Sequence, residues 1–181
     1  MTVRTKAEVA ETPGVTLAAI SCNATPPRNG WNSRFEILGR PAVEQQMGSI
    51  NLIGPGYFAA LRIPLLEGRI WTETENHNGA HLAVINRTLA QRYFPNGDAI
   101  GHSLRLPDFE DRPPAIVSAA KIADSWLQIV GIVGDARNDG LANPIQPAVF
   151  VPYTLSMTMA TQILVRTEAP PLTLLRAVRC N

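Results

Sequence analysis

The sequence predicts an α+β fold in which strands dominate. Short apolar or alternating segments recur along the 181 residues, whereas the segments that favour helix are brief and irregularly placed. The helical segments do not alternate regularly with the strands, as they would in a parallel βαβ protein. An apolar fraction of 45% and a charged fraction of 17% indicate a globular chain, long enough for one domain with a core or for two small lobes.

The predicted elements follow in order. Strands are predicted at residues 15–22, 34–38, 47–53, 65–70, 81–85, 100–106, 126–135, 149–153 and 162–167. Helical segments are predicted at residues 5–12, 57–61, 86–94 and 171–179, with Thr5 and Asn86 as N-caps of the first and third. Residues 23–33, 72–80 and 107–124 are predicted to form polar loops, because they are rich in Pro, Asn, Asp and Gly.

The Gly54-Pro55-Gly56 segment lies between a predicted strand and a predicted helical turn, where some proteins bind phosphate. No Lys-Ser or Lys-Thr pair follows Gly56, as a P-loop requires. We therefore interpret the segment as a folding device, with Pro55 near the first helical position and glycine permitting an unusual φ. The apolar residues expected to pin this turn to the core are Tyr57, Phe58, Leu61 and Ile63.

A second glycine pair, Gly131 and Gly134, follows an apolar strand but lacks the spacing and the following helix of a dinucleotide fingerprint. An alternative interpretation makes the turn from Gly131 to Asp139 part of a small-molecule binding site or an active site. Asp135, Arg137 and Asp139 would then converge in a deep pocket. If these side chains cap turns or face solvent instead, this alternative fails.

The remaining reactive residues form no recognised catalytic or metal-binding pattern. His77, His81 and His102 lack a helix that would also carry a carboxylate ligand. The acidic residues Glu73, Glu75, Asp108, Glu110 and Asp111 lie in predicted polar loops without calcium-loop spacing. We read Cys22 and Cys180 as unpaired thiols. A disulfide between them would require an oxidising compartment and a fold that brings the two ends of the chain together. We therefore predict no catalytic, cofactor or metal site and no enzymatic activity.

Charge and hydropathy bear on two questions, namely whether the chain binds nucleic acid and in which compartment it lies. The formal net charge is +1, and the basic residues form no stripe, which argues against nucleic-acid binding. No apolar run approaches membrane-spanning length, and the N-terminal residues have no apolar segment typical of a signal peptide. From these features alone the chain would be assigned to the cytoplasm.

Five motifs in order change that assignment. They are GPGYFAALRIPLLEGR, AVINRTLAQRYFPNGDAIGHSLRL, WLQIVGIVGDARNDGL, PAVFVPY and ILVRT. Together they resemble the extracytoplasmic (periplasmic) core domain of MacB/FtsX-type ABC transporter permeases, and most of all the duplicated orphan permeases of that family. The resemblance runs from about Pro13 to Arg179, almost the whole chain.

The resemblance implies a porter-like α/β lobe, formed by residues 1–26 and 146–181, with a mostly β lobe of residues 27–145 inserted into it. Such a domain lies between two membrane helices on the outer face of the bacterial inner membrane. It has no catalytic role and passes the movement of a separate ABC ATPase to periplasmic substrates or partners. The implied partners are the ATPase, the transmembrane part of the permease, and a periplasmic adaptor or a second permease copy. The three polar loops are candidate contact regions.

Two departures from the family pattern are expected to affect the porter-like lobe. The chain starts at the first helix rather than at a preceding strand, and it stops at Cys180-Asn181 before the expected return to the membrane. The porter-like lobe is therefore expected to be incomplete at both ends, with the membrane helices outside this chain. The resemblance also requires Thr5 and Arg179 to lie close together on one lobe. A decayed fragment without activity stays open as a third interpretation.

Overall fold

The computed structural model describes residues 6–22, 24, 30–41, 46–107, 126–137, 140, 142–156 and 161–168. The strands are β1 (Val15–Cys22), β2 (Trp31–Arg34), β3 (Glu36–Ile37), β4 (Met47–Ile53), β5 (Leu65–Gly68), β6 (Leu82–Asn86), β7 (Ser103–Arg105), β8 (Leu127–Val133), β9 (Ala148–Pro152) and β10 (Thr161–Thr167). The helices are α1 (Lys6–Ala10), α2 (Tyr57–Leu61), α3 (Glu73–His77) and α4 (Arg87–Tyr93), and a single 3-10 turn covers Tyr153–Leu155. The predicted α+β class is confirmed.

All the described strands join one mixed sheet. Its order is β10-β1-β4-β9-β6-β8-β7-β3, with β2 added beside β4 and β5 added beside β8. The pairs β4–β9 and β6–β8 are parallel, and the other pairs are antiparallel. The centre of the sheet is therefore built from strands that are far apart in sequence.

Apolar side chains pack on both faces of this centre. In β9, Val149 and Val151 belong to one buried cluster, while the intervening Phe150 belongs to the other. Successive side chains of a strand point to opposite faces, so the two clusters lie on opposite sides of the sheet. One contains Phe35, Ile50, Ile85, Leu104 and Ile129. The other contains Tyr57, Phe58, Trp71 and Val133.

The sequence predicted most element positions correctly but misread two polar segments. Residues 72–80 contain α3 rather than only a loop. Thr72 is its N-cap, accepting a hydrogen bond from the Glu75 N–H while the Glu75 carboxylate accepts one from the Thr72 N–H. This Thr-x-x-Glu capping box was present in the sequence. β2 occupies the end of the predicted 23–33 loop because it pairs with β4.

Several predictions concern parts of the chain outside the described residues. They are the N-cap Thr5, most of the 107–124 loop and the 171–179 helix. The division into two lobes stays a prediction. β9, which that division assigns to the porter-like lobe, pairs with β4 and β6 of the inserted segment.

Candidate functional site

The first and last strands of the described sheet run side by side. β1 and β10 are antiparallel, with Val15 opposite Thr167, and the Glu168 N–H donates to the Gly14 carbonyl at 3.3 Å. We call β1, β10 and α1 the terminal unit, and the rest of the sheet with its helices the main body. The chain therefore enters and leaves the main body through one unit at one sheet edge.

The sheet continues from the terminal unit into the main body only at the end of β1. There Ser21 lies opposite Ile53 and Cys22 opposite Leu52. The Gly54 N–H donates to the Ile20 carbonyl at 2.9 Å and closes this short ladder. The residues of β1 that precede Ser21 pair with β10 and have no register partner in β4. The junction is thus a narrow strand contact.

Helix α2 lies across this junction, and the Gly-Pro-Gly turn places it there. A Cβ atom on Gly56 would lie 3.5 Å from the Ala19 Cβ, and one on Gly54 would lie 3.6 Å from the Ile20 Cβ. The glycines allow α2 to approach β1 closely. Two details of our interpretation are wrong: Gly56 is the N-cap with φ −74°, so Pro55 precedes the helix, and neither glycine adopts positive φ. Close packing, not an unusual φ, accounts for them.

The C-terminal end of α2 contacts the other strand of the terminal unit. Arg166 of β10 donates from Nη2 to the Ala60 carbonyl at 2.6 Å. Arg62 follows α2 in the left-handed conformation, with φ 57° and ψ 34°. It is the only non-glycine residue with positive φ among those the structure describes. A cation bound to a helix C-terminal carbonyl is favourable because that end of the helix carries partial negative charge.

The opposite side of α2 is anchored in the main body. The Phe58 and Phe150 rings meet edge to face with centroids 5.0 Å apart, and Tyr57 lies 6.0 Å from Phe150. Tyr57 is fully buried, and its hydroxyl donates to the Ala24 carbonyl. Tyr57, Phe58 and Ile63 are buried, and Leu61 is partly buried against the same cluster, which confirms the prediction that these four residues fix the turn to the core.

Helix α3 provides a second polar link between the two parts. Glu73 of α3 forms an ion pair with Lys6 of α1. Glu75, on the same helix, receives hydrogen bonds from Arg69 Nη1 and Nη2, both at 2.8 Å. The Arg69 hydrogen bonds and the Thr72 N–H lower the pKa of Glu75 to about 2. The polar loop predicted at residues 72–80 is thus a charged corner, formed by Glu73 and Glu75 of α3 with Arg69, and it contacts the terminal unit through Lys6.

In the turn after β8, the two predicted polar residues that the structure describes contact backbone groups. Asp135 Oδ1 accepts a hydrogen bond from the Thr88 N–H at 3.0 Å and so caps α4. Arg137 Nη1 donates to the Asn143 carbonyl at 3.5 Å. Asp139 lies outside the described residues.

The glycines of that turn serve packing between strands. A Cβ on Gly131 would lie 2.3 Å from the Arg69 carbonyl oxygen, and one on Gly134 would lie 2.9 Å from Pro64 Cγ. The Gly134 N–H already donates to the Pro64 carbonyl at 2.8 Å. These glycines bring β5 against β8.

The histidines and the described cysteine are dispersed. His77 ends α3, His81 is exposed, and His102 Nε2 lies 3.6 Å from Asp98 Oδ2. Cys22 is a buried free thiol beside the Thr161 hydroxyl. No cluster of three or more potential metal ligands occurs within the described part of the chain. The remaining candidates lie outside that part, namely Asp108, Glu110, Asp111 and Cys180.

This geometry defines an α+β domain built on one mixed sheet, whose first and last described strands pair at one sheet edge. The family model of the MacB-like periplasmic core domain matches residues 4–173, and the chain belongs to that family. The predicted resemblance is therefore confirmed. No curated protein matches the chain.

Three solved structures have the same fold. The periplasmic region of MacB from Actinobacillus actinomycetemcomitans has a TM-score of 0.65 and 12% identity, covering 98% of this chain and 72% of that one. A domain of a putative permease from Porphyromonas gingivalis has a TM-score of 0.60 and 18% identity, covering 96% and 72%. The extracellular domain of the noncanonic ABC-type transporter YknZ from Gram-positive bacteria has a TM-score of 0.60 and 12% identity, covering 97% and 78%.

Family membership identifies the chain as a periplasmic domain of a MacB/FtsX-like ABC transporter permease. Domains of this family are non-catalytic parts of transporters. None of the helices in the described ranges is both long and apolar enough to span a bilayer.

Proposed function

We propose that this domain transmits movement driven by an ABC ATPase to substrates or partner proteins outside the membrane, without catalysing a reaction itself. The domain would lie on the periplasmic face of the bacterial inner membrane, anchored by the transmembrane part of its permease. Its partners would be that membrane part and the ATPase, together with a periplasmic adaptor or a second permease copy.

The observation that carries the proposal is the antiparallel pairing of β1 and β10. Val15 and Thr167 lie opposite one another, so the two flanks of the domain emerge at one edge. A domain inserted between two membrane segments needs this arrangement, because both flanks must continue toward one membrane. Movement of those segments would reach the main body through the terminal unit and α2. Thr5 and Arg179 themselves lie outside the described residues.

The alternative, a binding site or active site at the turn from Gly131 to Asp139, receives no comparable support. Asp135 and Arg137 are engaged with backbone groups of α4 and of the following turn. Such capping contacts stabilise local structure. They do not leave a set of side chains converging on a ligand.

Cysteine labelling in right-side-out inner-membrane vesicles tests the placement of the domain. In the full permease, Cys22→Ser and Cys180→Ser are combined with Glu67→Cys, because Glu67 is exposed on β5. A membrane-impermeant maleimide should label this cysteine in intact inner-membrane vesicles of right-side-out orientation. A cysteine in the ATPase should be labelled only after permeabilisation. Labelling of Glu67→Cys only after permeabilisation would contradict the proposal.

Removal of the domain tests its role. A permease without the domain should still assemble with its ATPase and support ATP hydrolysis, but the transported substrate or periplasmic partner should no longer respond. Unchanged export by the shortened permease would show that the domain does not transmit movement. Loss of ATPase assembly would indicate a role in folding of the complex instead.

A further inference from the structure

Helix α2 is held by both parts of the molecule, and each part holds it in a different way. Toward the main body, Tyr57 and Phe58 are buried against Phe150. Toward the terminal unit, glycine packing at its first turn is joined by a hydrogen bond from Arg166 to the Ala60 carbonyl. Partly buried Leu164 of β10 also packs against the cluster that contains Tyr57 and Phe58. The apolar side is an anchor, whereas the polar contact is partly exposed and can exchange with water.

The strand contact beneath α2 is suited to rotation. β1 pairs with β4 only through Ser21 and Cys22. These residues are fixed, because both are fully buried and Cys22 lies in the core cluster of the main body. The earlier residues of β1 pair with β10 alone and meet the main body where Gly56 contacts Ala19.

We propose, on the basis of the function proposed above, that α2 is a releasable clamp on a hinge. The terminal unit turns about Ser21–Cys22 relative to the main body. The hydrogen bond from Arg166 to the Ala60 carbonyl holds the hinge closed at α2, beside the more exposed ion pair of Lys6 with Glu73. Release of the Arg166 bond frees the outer parts of β1 and β10 and leaves the last turn of α2 uncapped, so that this turn opens more often, while Tyr57 keeps the first turn of α2 on the main body. The left-handed Arg62 places strain directly beside the clamp, where a change of backbone conformation ends the helix.

Hydrogen exchange on the full 181-residue chain tests the clamp without any transporter. The amides to follow in α2 and its cap are those of Ala60, Arg62 and Ile63, which donate to helix carbonyls. Arg166→Ala should accelerate their exchange about tenfold, since a hydrogen bond from a charged donor contributes on that scale. Arg166→Lys keeps a cation and should show a smaller increase.

Two controls separate opening of the clamp from general destabilisation. The amides of Gly101 and Ile129 lie in the main body and should exchange at unchanged rates. Arg87→Ala, which removes an exposed arginine from α4, should leave the α2 amides unchanged. Equal acceleration in α2 and the main body, or no acceleration in Arg166→Ala, would overturn the proposal.

A disulfide provides the converse test. A Cβ on Gly56 would lie 3.5 Å from the Ala19 Cβ, within the usual range for disulfides. Ala19→Cys with Gly56→Cys, in a Cys22→Ser and Cys180→Ser background, should lock α2 onto β1 when oxidised. Combined with Arg166→Ala, the oxidised disulfide should restore slow exchange at Ala60 and Ile63, and reductant should reverse this effect. Fast exchange in the oxidised form would contradict the hinge.

The same disulfide distinguishes the clamp from the proposed function. In the full permease, oxidation should abolish transmission while leaving periplasmic labelling of the domain intact. A control disulfide between Arg34→Cys and Met47→Cys, exposed register partners inside the main body, should leave transmission unchanged. Transmission through the locked junction would refute the clamp alone, whereas failure of labelling would refute the periplasmic placement.

Discussion

Strands β9 and β10 lie in the same sheet and both carry consecutive apolar residues, yet their surroundings differ. Every residue of β9 is buried, whereas no residue of β10 is. β9 lies between β4 and β6 with packed side chains on both faces. β10 lies at the edge of the described sheet, and β1 is its only partner among the described strands.

The difference shows how one sheet can combine a rigid part with an adjustable one. Strands buried on both faces are held by many apolar contacts that act together, and such regions open only with global unfolding. A half-buried edge pair depends more on a few directional contacts, each of which contributes modestly. We therefore expect the main body to determine stability and the terminal unit to determine movement.

Matched truncations provide the strongest test of this difference. Ile129→Ala, at a fully buried position of β8, should lower the free energy of unfolding by about 3–4 kcal/mol because it leaves a cavity. Ile163→Ala, in half-buried β10, should cost only about 1 kcal/mol, since it removes less apolar area from a packed environment. Urea denaturation of both variants measures the two values. Similar costs at the two positions would contradict the division into a rigid and an adjustable part.

A polar residue in the main body should also have a large effect. Asn86 Oδ1 accepts hydrogen bonds from the Leu89 and Ala148 N–H groups, and its Nδ2 donates to the Gln146 carbonyl. Asn86→Ala should cost about 2–3 kcal/mol, because it removes an N-cap and leaves a buried donor unsatisfied.

Asn86→Asp is the matched control for that prediction. It keeps both accepted bonds, loses the donated one and places a carboxylate oxygen opposite the Gln146 carbonyl, so its cost should be about 1–2 kcal/mol. Both variants are measured by urea denaturation. Equal costs would show that the accepted bonds of Asn86 contribute little.

Local sequence signals were sufficient to predict the positions of elements that are marked by neighbouring residues in the chain. Alternating or apolar runs placed β1 and β4 at the correct residues, and Asn86 was correctly identified as the N-cap of α4. The same reasoning missed α3, because its many polar residues obscured the capping box at Thr72 and Glu75. The capping box is visible in the sequence, but the polar composition of residues 72–80 favoured a loop.

The junction could not be predicted in this way. Arg166 contacts the Ala60 carbonyl across a long sequence separation, and nothing adjacent to either residue indicates that they meet. The roles of Gly54 and Gly56 depend on how closely β1 approaches, which is a property of the assembled sheet. Sequence indicated that the segment folds the chain, but only tertiary structure shows what it folds against.

Relief of strain beside the clamp should have a smaller effect of opposite sign. Arg62→Gly should raise the free energy of unfolding by about 0.5–1 kcal/mol, since glycine adopts the left-handed conformation without a steric penalty. Arg62→Ala removes the same side chain but keeps the strain, so it should give no such gain. Thermal unfolding distinguishes the two variants. Equal stability of the glycine and alanine variants would mean that backbone strain at this position is negligible.

The smallest expected effect concerns pH and the charged corner formed by α3. The pKa of Glu75 is lowered from 4.5 to about 2 in the folded chain, so its ion pair stabilises the fold above the higher value and is lost as pH falls toward the lower one. Glu75→Gln preserves the capping-box pattern but removes the charge, and should lower the melting temperature slightly at pH 7. This difference should shrink as pH falls from 4.5 to about 2. Glu67→Gln, at an exposed glutamate of β5, serves as control. A pH-independent difference for Glu75→Gln would show that the carboxylate charge does not stabilise this corner.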